Sequence, residues 1–178
     1  MANLLKLLLL LGLALLGYQQ WFAALPLQTY SFTNVPVTVA MLEGAHIKRD
    51  TDSRTDIESI ISQGKFTMAA LSVSSEMEKF EQADMEFIAD DFDEFEMISS
   101  AYTGLKNGAA TEIDRGYISH NGKRGYQMTL QFSNGEDEIT MQQRIFIVND
   151  YLLVFIGGYN STQQQRTVSQ FLDSISFG

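Results

Sequence analysis

The stretch from Thr111 to Tyr159, TEIDRGYISHNGKRGYQMTLQFSNGEDEITMQQRIFIVNDYLLVFIGGY, constrains this chain more than any other. Its strand-like runs are separated by Asn121-Gly122, Asn134-Gly135 and Asn149-Asp150, pairs that tolerate positive φ. Tight turns of this kind join neighbouring antiparallel strands, so the stretch predicts a four-stranded meander. Folding at Asn121-Gly122 sets Tyr117 opposite Tyr126, Ile113 opposite Leu130, Asp114 opposite Thr129 and Glu112 opposite Gln131. Apolar then meets apolar and polar meets polar, as a sheet with a buried face requires. Across the second turn, Met128 and Leu130 share a face with Ile139 and Met141. Ile145 to Val148 and Tyr151 to Ile156 are apolar on both faces, the mark of central strands covered on both sides.

Ahead of the meander, Gln28 to Phe32 and Val35 to Leu42 read as short strands. In the second, Val35, Val37, Val39 and Met41 alternate with Pro36, Thr38 and Ala40. Glu43 to Arg54 is polar and reads as loop. Ile57 to Ser62 and Phe66 to Val73 predict a hairpin around Gln63-Gly64. Behind the meander, Ser161 is placed to cap a helix whose apolar stripe is Val168, Phe171, Leu172 and Ile175. Gly157-Gly158 reads as the bend from the last strand into that helix.

Between the two strand-rich halves lies EKFEQADMEFIADDFDEFEMISS, from Glu78 to Ser100. Ser75 with Glu78 three residues on is a capping-box pair, and a helix is predicted from about Glu76 to about Ser99. Phe80, Phe87, Ile88, Phe92, Phe95 and Ile98 gather on one broad stripe at helical spacing. Glu81, Glu86, Asp90, Asp93 and Glu96 fall off that stripe or at its edges, where they form an acidic back. Glu76 to Glu96 holds ten acids and one base, Lys79, so it carries −9 of the chain's net −10. Such a balance disfavours nucleic acid as a partner and favours a basic protein approached by charge steering.

Two acids, Asp84 and Asp91, project onto the phenylalanine stripe itself. Arg115 lies on the apolar face of its strand, alternating with Ile113 and Tyr117. A buried carboxylate requires a partner, so Arg115 is expected to approach Asp84 or Asp91 as a structural ion pair.

Catalytic and cofactor chemistry find little support. Cysteine is absent, which excludes disulfides, thiolate metal sites and a cysteine nucleophile. His46 and His120 stand alone, without a neighbouring ligand or a G-x-S-x-G nucleophile motif. Asp90, Asp91 and Asp93 lack the glycine turn and terminal bidentate Glu of a Ca²⁺ loop. FIGGYNS lacks the lysine and spacing of a phosphate loop. No catalytic residue, metal ligand or cofactor is therefore assigned. A row of uncharged polar side chains, Gln127, Thr129, Gln131, Thr140 and Gln142, reads first as a plain wet sheet face, the alternatives being a face for a peptide or partner, or one covered by the final helix.

The chain opens MANLLKLLLLLGLALLGYQQWFAALPLQ. Lys6 followed by an unbroken apolar run from Leu7 to Gly17 has the form of a secretory leader, and Tyr18, Trp21 and Phe22 suit a membrane interface. Residues 1–27 are therefore expected to be a signal peptide or a membrane anchor, and residues 28–178 a single domain. This places the protein in the cell envelope, on the periplasmic side of the cytoplasmic membrane, or outside the cell.

The order of strands, long helix, meander and closing helix resembles the PsbP-like fold. The stretches that carry the likeness are YSFTNVPVTVAM, GYQMTLQF, QQRIFIVNDYLLVFIGGY and QFLDSISF. The resemblance implies an α+β architecture, an antiparallel sheet flanked by helices on both faces. It also implies a non-enzymatic role as an adaptor, assembly factor or envelope protein, and the partner expected for this chain is another envelope protein, a basic one if the acidic back is its surface. The competing expectation is an enzyme or small-ligand binder, with a cleft between sheet and acidic helix near Asp84, Asp91 and Arg115.

Overall fold

The computed structural model describes residues 24–51, 53–62, 68–76, 79–86, 109–133 and 138–178. Ten strands and one α-helix are ordered along them: β1 (Leu27–Ser31), β2 (Val37–Leu42), β3 (His46–Thr51), β4 (Thr55–Ser62), β5 (Met68–Ser75), β6 (Ala109–His120), β7 (Lys123–Ser133), β8 (Glu138–Val148), β9 (Tyr151–Tyr159), α1 (Thr162–Asp173) and β10 (Ser176–Phe177). β3-β4-β5-β9-β8-β7-β6 form a seven-stranded sheet, and β1-β2-β10 a three-stranded one. Every pairing is antiparallel.

The meander folds as its first and third turns dictate, and Asn134-Gly135 lies outside the described residues. Asn121 and Gly122 have φ of 47° and 77°, and Asn149 and Asp150 have φ of 51° and 66°. Both central residues are left-handed, the conformation whose twist matches a hairpin. Tyr117 pairs with Tyr126 and Asp114 with Thr129. The register then slips at a bulge between Glu112 and Asp114, so that Glu112, not Ile113, faces Leu130, and Thr111, not Glu112, faces Gln131. The extra residue leaves Ile113 56% exposed.

The large sheet has two different faces. On one lie Ile60, Met68, Ala70, Phe146, Val148, Leu153 and Phe155, packed against Val37, Val39 and Met41 of β2 and Val168, Phe171 and Leu172 of α1. On the other lie Leu71, Tyr126, Met128, Leu130, Met141, Ile145, Leu152, Val154 and Ile156, with Met85 and the half-buried Phe80. Phe155 meets Phe32, Phe146 and Phe171 edge to face, at centroid separations of 6.5, 6.1 and 6.4 Å.

The expectation of helices on both faces is overturned. The described residues are mostly strand, and the one α-helix described in full lies on a single face, beside a second, smaller sheet. The alternation of β2 is the reason, because it buries Val37, Val39 and Met41 completely or nearly so on the face that α1 would otherwise cover alone. The acidic segment also departs from its predicted start. Residues 79–81 have no regular structure and Gln82–Asp84 form one 3₁₀ turn, so no helix begins at Glu76. Residues 87–108 lie outside the described set, as do 1–23. Among the described residues no helix is long and apolar enough to cross a membrane.

Two smaller corrections concern strands. His46–Thr51, expected as loop, is the exposed edge strand β3. Gly157 and Gly158 sit inside β9 and do not bend the chain. A side chain at Gly157 would place its Cβ 2.6 Å from Val168 Cγ1, so glycine here lets α1 lie directly on the sheet. Ser161 caps α1 as expected, its hydroxyl accepting from the Gln164 N–H. At the other end Arg144 donates to the Leu172 carbonyl at 2.7 Å, satisfying a last-turn acceptor. The same guanidinium donates to Gln127 Oε1 at 2.9 Å, and Thr129 is buried, so the polar row is partly used to hold α1 and is not simply a wet face.

Candidate functional site

Polar side chains converge where the β1–β2 loop crosses the large sheet. β4 alternates Asp56, Glu58 and Ile60 toward the small sheet, so two carboxylates share the face on which Ile60 enters the core. Glu58 is 1% exposed. Its Oε2 accepts from the Thr33 N–H at 2.8 Å, the Thr33 hydroxyl at 2.9 Å and the Asn34 N–H at 3.3 Å. Those bonds pin the loop and spend one oxygen of the carboxylate on backbone and hydroxyl donors, as a buried acid requires.

Asp56 is held differently. Arg49 on β3 grips it with two parallel bonds, Nε to Oδ1 at 3.0 Å and Nη2 to Oδ2 at 2.8 Å. The Thr51 hydroxyl donates to Oδ1 at 2.8 Å and the Asn34 amide to Oδ2 at 3.4 Å. The Arg49 hydrogen bond is the largest influence lowering the Asp56 pKa to about 2, with Thr51 and Asn34 adding to it and partial burial opposing. Arg49 is raised in turn. Asn34 also accepts from the Ser72 hydroxyl at 2.7 Å, so a single loop residue joins β4 to β5.

Beside this network lies an open cavity of about 300 Å³ lined by Thr51, Ser53, Arg54, Thr55, Asp56, Ser74, Ser75, Glu76 and Tyr151. Hydroxyl groups dominate it. Chemically it is a hydrogen-bonding recess, with its one strongly acidic carboxylate already neutralised by Arg49. Sequence reasoning missed it, because Glu43 to Arg54 read as loop and gave no reason to place Arg49 against Asp56. The usable signal was the inward alternation of Asp56 and Glu58 with Ile60.

None of the described site residues singled out from sequence lines this recess. Glu81, Asp84 and Glu86 are exposed. Asp90, Asp91, Asp93 and Glu96 fall outside the described residues. Arg115 sits on β6 and pairs with Glu112 three residues before it. That strand end also exposes Tyr117, at 44%, under the Arg124 guanidinium 4.1 Å from its ring centroid. His120 Nε2–H donates to the Ile175 carbonyl at 2.9 Å and the ring touches Phe146 and Phe177, so it helps fasten the C-terminal segment. Among the described residues no cluster of three His, Cys, Asp or Glu could hold a metal ion.

The architecture defines a class: it is a PsbP-like fold. The solution structure of cyanobacterial PsbP (CyanoP) from Synechocystis sp. PCC 6803 is similar over 85% of this chain and 92% of its own, with a TM-score of 0.57 at 11% identity. PA94 of Pseudomonas aeruginosa, a protein of unknown function, covers 83% of this chain and 94% of its own at a TM-score of 0.41 and 10% identity. No family model and no curated protein matches the sequence.

Proposed function

We propose that this protein is a non-enzymatic envelope protein, exported or held at the membrane by its leader, that binds or helps assemble another protein. The observation that supports the reading most is the PsbP-like fold carried behind an apolar N-terminal run from Leu7 to Gly17. The acidic segment is the surface for a basic partner in this reading. Glu81 and Glu86 are exposed on it, and it holds nearly all of the net charge. Opposite charge raises encounter rates and makes them sensitive to salt. Reversing Glu81, Glu86, Asp90 and Asp93 to lysine should weaken capture of crosslinked partners from native membranes and flatten the salt dependence. Capture and salt dependence that match the parent chain refute the charge-steering reading.

The cavity near Tyr151 favours a second reading, a small-ligand binder, because its volume of about 300 Å³ reaches the lower end of the range of small-molecule pockets and its hydroxyl groups can hydrogen-bond a polar ligand. Asp56 and Tyr151 line it, whereas Asp84 and Arg115, near which a cleft was expected, are not among its lining residues. A screen of small polyols and sugars by thermal shift separates the two readings. A saturable rise in melting temperature that Tyr151→Phe reduces supports the binder.

A further inference from the structure

The strands of the large sheet run between two ends, and register tells them apart. At one end stand the β2–β3 turn at Glu43 and Gly44, the start of β5 at Met68, and the end of β9 at Tyr159 with the Ser161 cap of α1. At the other stand the Asn121-Gly122 and Asn149-Asp150 turns, Ser53, and the cavity beside Tyr151. The chain enters at the first end. The Leu25 N–H donates to Thr167 Oγ1 of α1 at 2.9 Å, Leu25 and Leu27 pack on the core, and Leu27 pairs with Leu42 just before the β2–β3 turn.

Resting on the envelope-anchored reading above, we propose that a retained leader stands the body on the membrane by this first end, with the cavity pointing away. The geometry sets the scale. Between Gly17, where the apolar run stops, and Ala24, where the body begins, lie Tyr18 to Ala23, six residues. Fully extended they reach only about 20 Å. β9, nine residues long, spans about 30 Å from one end to the other. The tether is thus shorter than the body it holds. In this orientation Glu43 and Thr162 stand at the end nearer the lipid surface, and Ser53 and Lys123 about a strand length away from them.

The natural chain has no cysteine, so single cysteines report position without background. Glu43→Cys, Thr162→Cys, Ser53→Cys and Lys123→Cys fall at exposed positions. Each full-length variant is reacted with a maleimide carrying a large polyethylene glycol, in phospholipid vesicles and again in detergent. The proposal expects Glu43→Cys and Thr162→Cys to react several-fold more slowly in vesicles than in detergent, and Ser53→Cys and Lys123→Cys to react alike in both. Four rates that slow equally, or a slowing confined to Ser53→Cys and Lys123→Cys, overturn the orientation while leaving anchoring intact. Recovery of the full-length chain only in the soluble fraction overturns the anchored reading and the orientation with it.

Discussion

Gln143 offers the sharpest test of how the large sheet is built. It lies on β8 facing the cluster of Met128, Met141, Ile145 and Ile156, is 1% exposed, and pairs across the sheet with Met128 and Ile156. Neither its amide nitrogen nor its amide oxygen has a hydrogen-bond partner. Leaving a buried polar group unsatisfied costs about 1–3 kcal/mol. Methionine has nearly the same length and shape but needs no partner. Gln143→Met is therefore expected to stabilise the fold by about 1–3 kcal/mol, which raises the melting temperature by about 2–10 °C for a domain of this size. Urea unfolding followed by circular dichroism, with a higher midpoint and an unchanged slope, is the assay. Gln143→Glu, which puts a charge in the same apolar surroundings, should move the midpoint the other way. A midpoint for Gln143→Met at or below that of the parent chain refutes the reasoning, because it means the amide is satisfied.

Three further outcomes are expected. Gly157→Ala drives its Cβ to 2.6 Å from Val168 Cγ1 and should cost about 1–3 kcal/mol in chemical unfolding, with Val168→Ala on the same chain recovering part of the loss. Glu58→Ala leaves the Thr33 and Asn34 donors without their acceptor and should destabilise by about 2–4 kcal/mol, while Glu58→Gln, which keeps an acceptor oxygen, should cost less. Asp56 is held at about 2, below its ordinary 3.8, so its contribution is present in full above about pH 4 and fades as pH falls toward 2. Arg49→Ala should raise the Asp56 pKa in a carboxyl NMR titration and remove much of that acid-range loss. An Asp56 titration that does not move would show that Arg49 is not its main partner.

What the sequence made legible was local. The Asn121-Gly122 and Asn149-Asp150 turns, the Tyr117–Tyr126 register, the Ser161 cap and the Val168, Phe171, Leu172, Ile175 stripe each depend on a few adjacent residues with strong preferences. What escaped depended on distant neighbours. β3, with the sequence HIKRDT, has no alternation to reveal it, because every residue on that edge is exposed and the charges Lys48, Arg49 and Asp50 suit an unpaired margin. The bulge at Ile113 leaves no mark in a residue count taken from the turn. The recess near Tyr151 needs β3, β4, β5 and the start of β9 brought together, and only the folded chain does that. The helix expected at Glu76 rested on periodicity and a capping pair, yet the first turn seen is 3₁₀ at Gln82–Asp84.

The three-stranded sheet has one more consequence. Its middle strand is flanked by Leu27–Ser31 on one side and Ser176–Phe177 on the other, so two stretches far apart in sequence share one set of hydrogen bonds. Contacts so far apart along the chain form slowly and late. The hydrophobic interior beneath the small sheet is therefore not closed along that edge until Ser176–Phe177 has paired with β2.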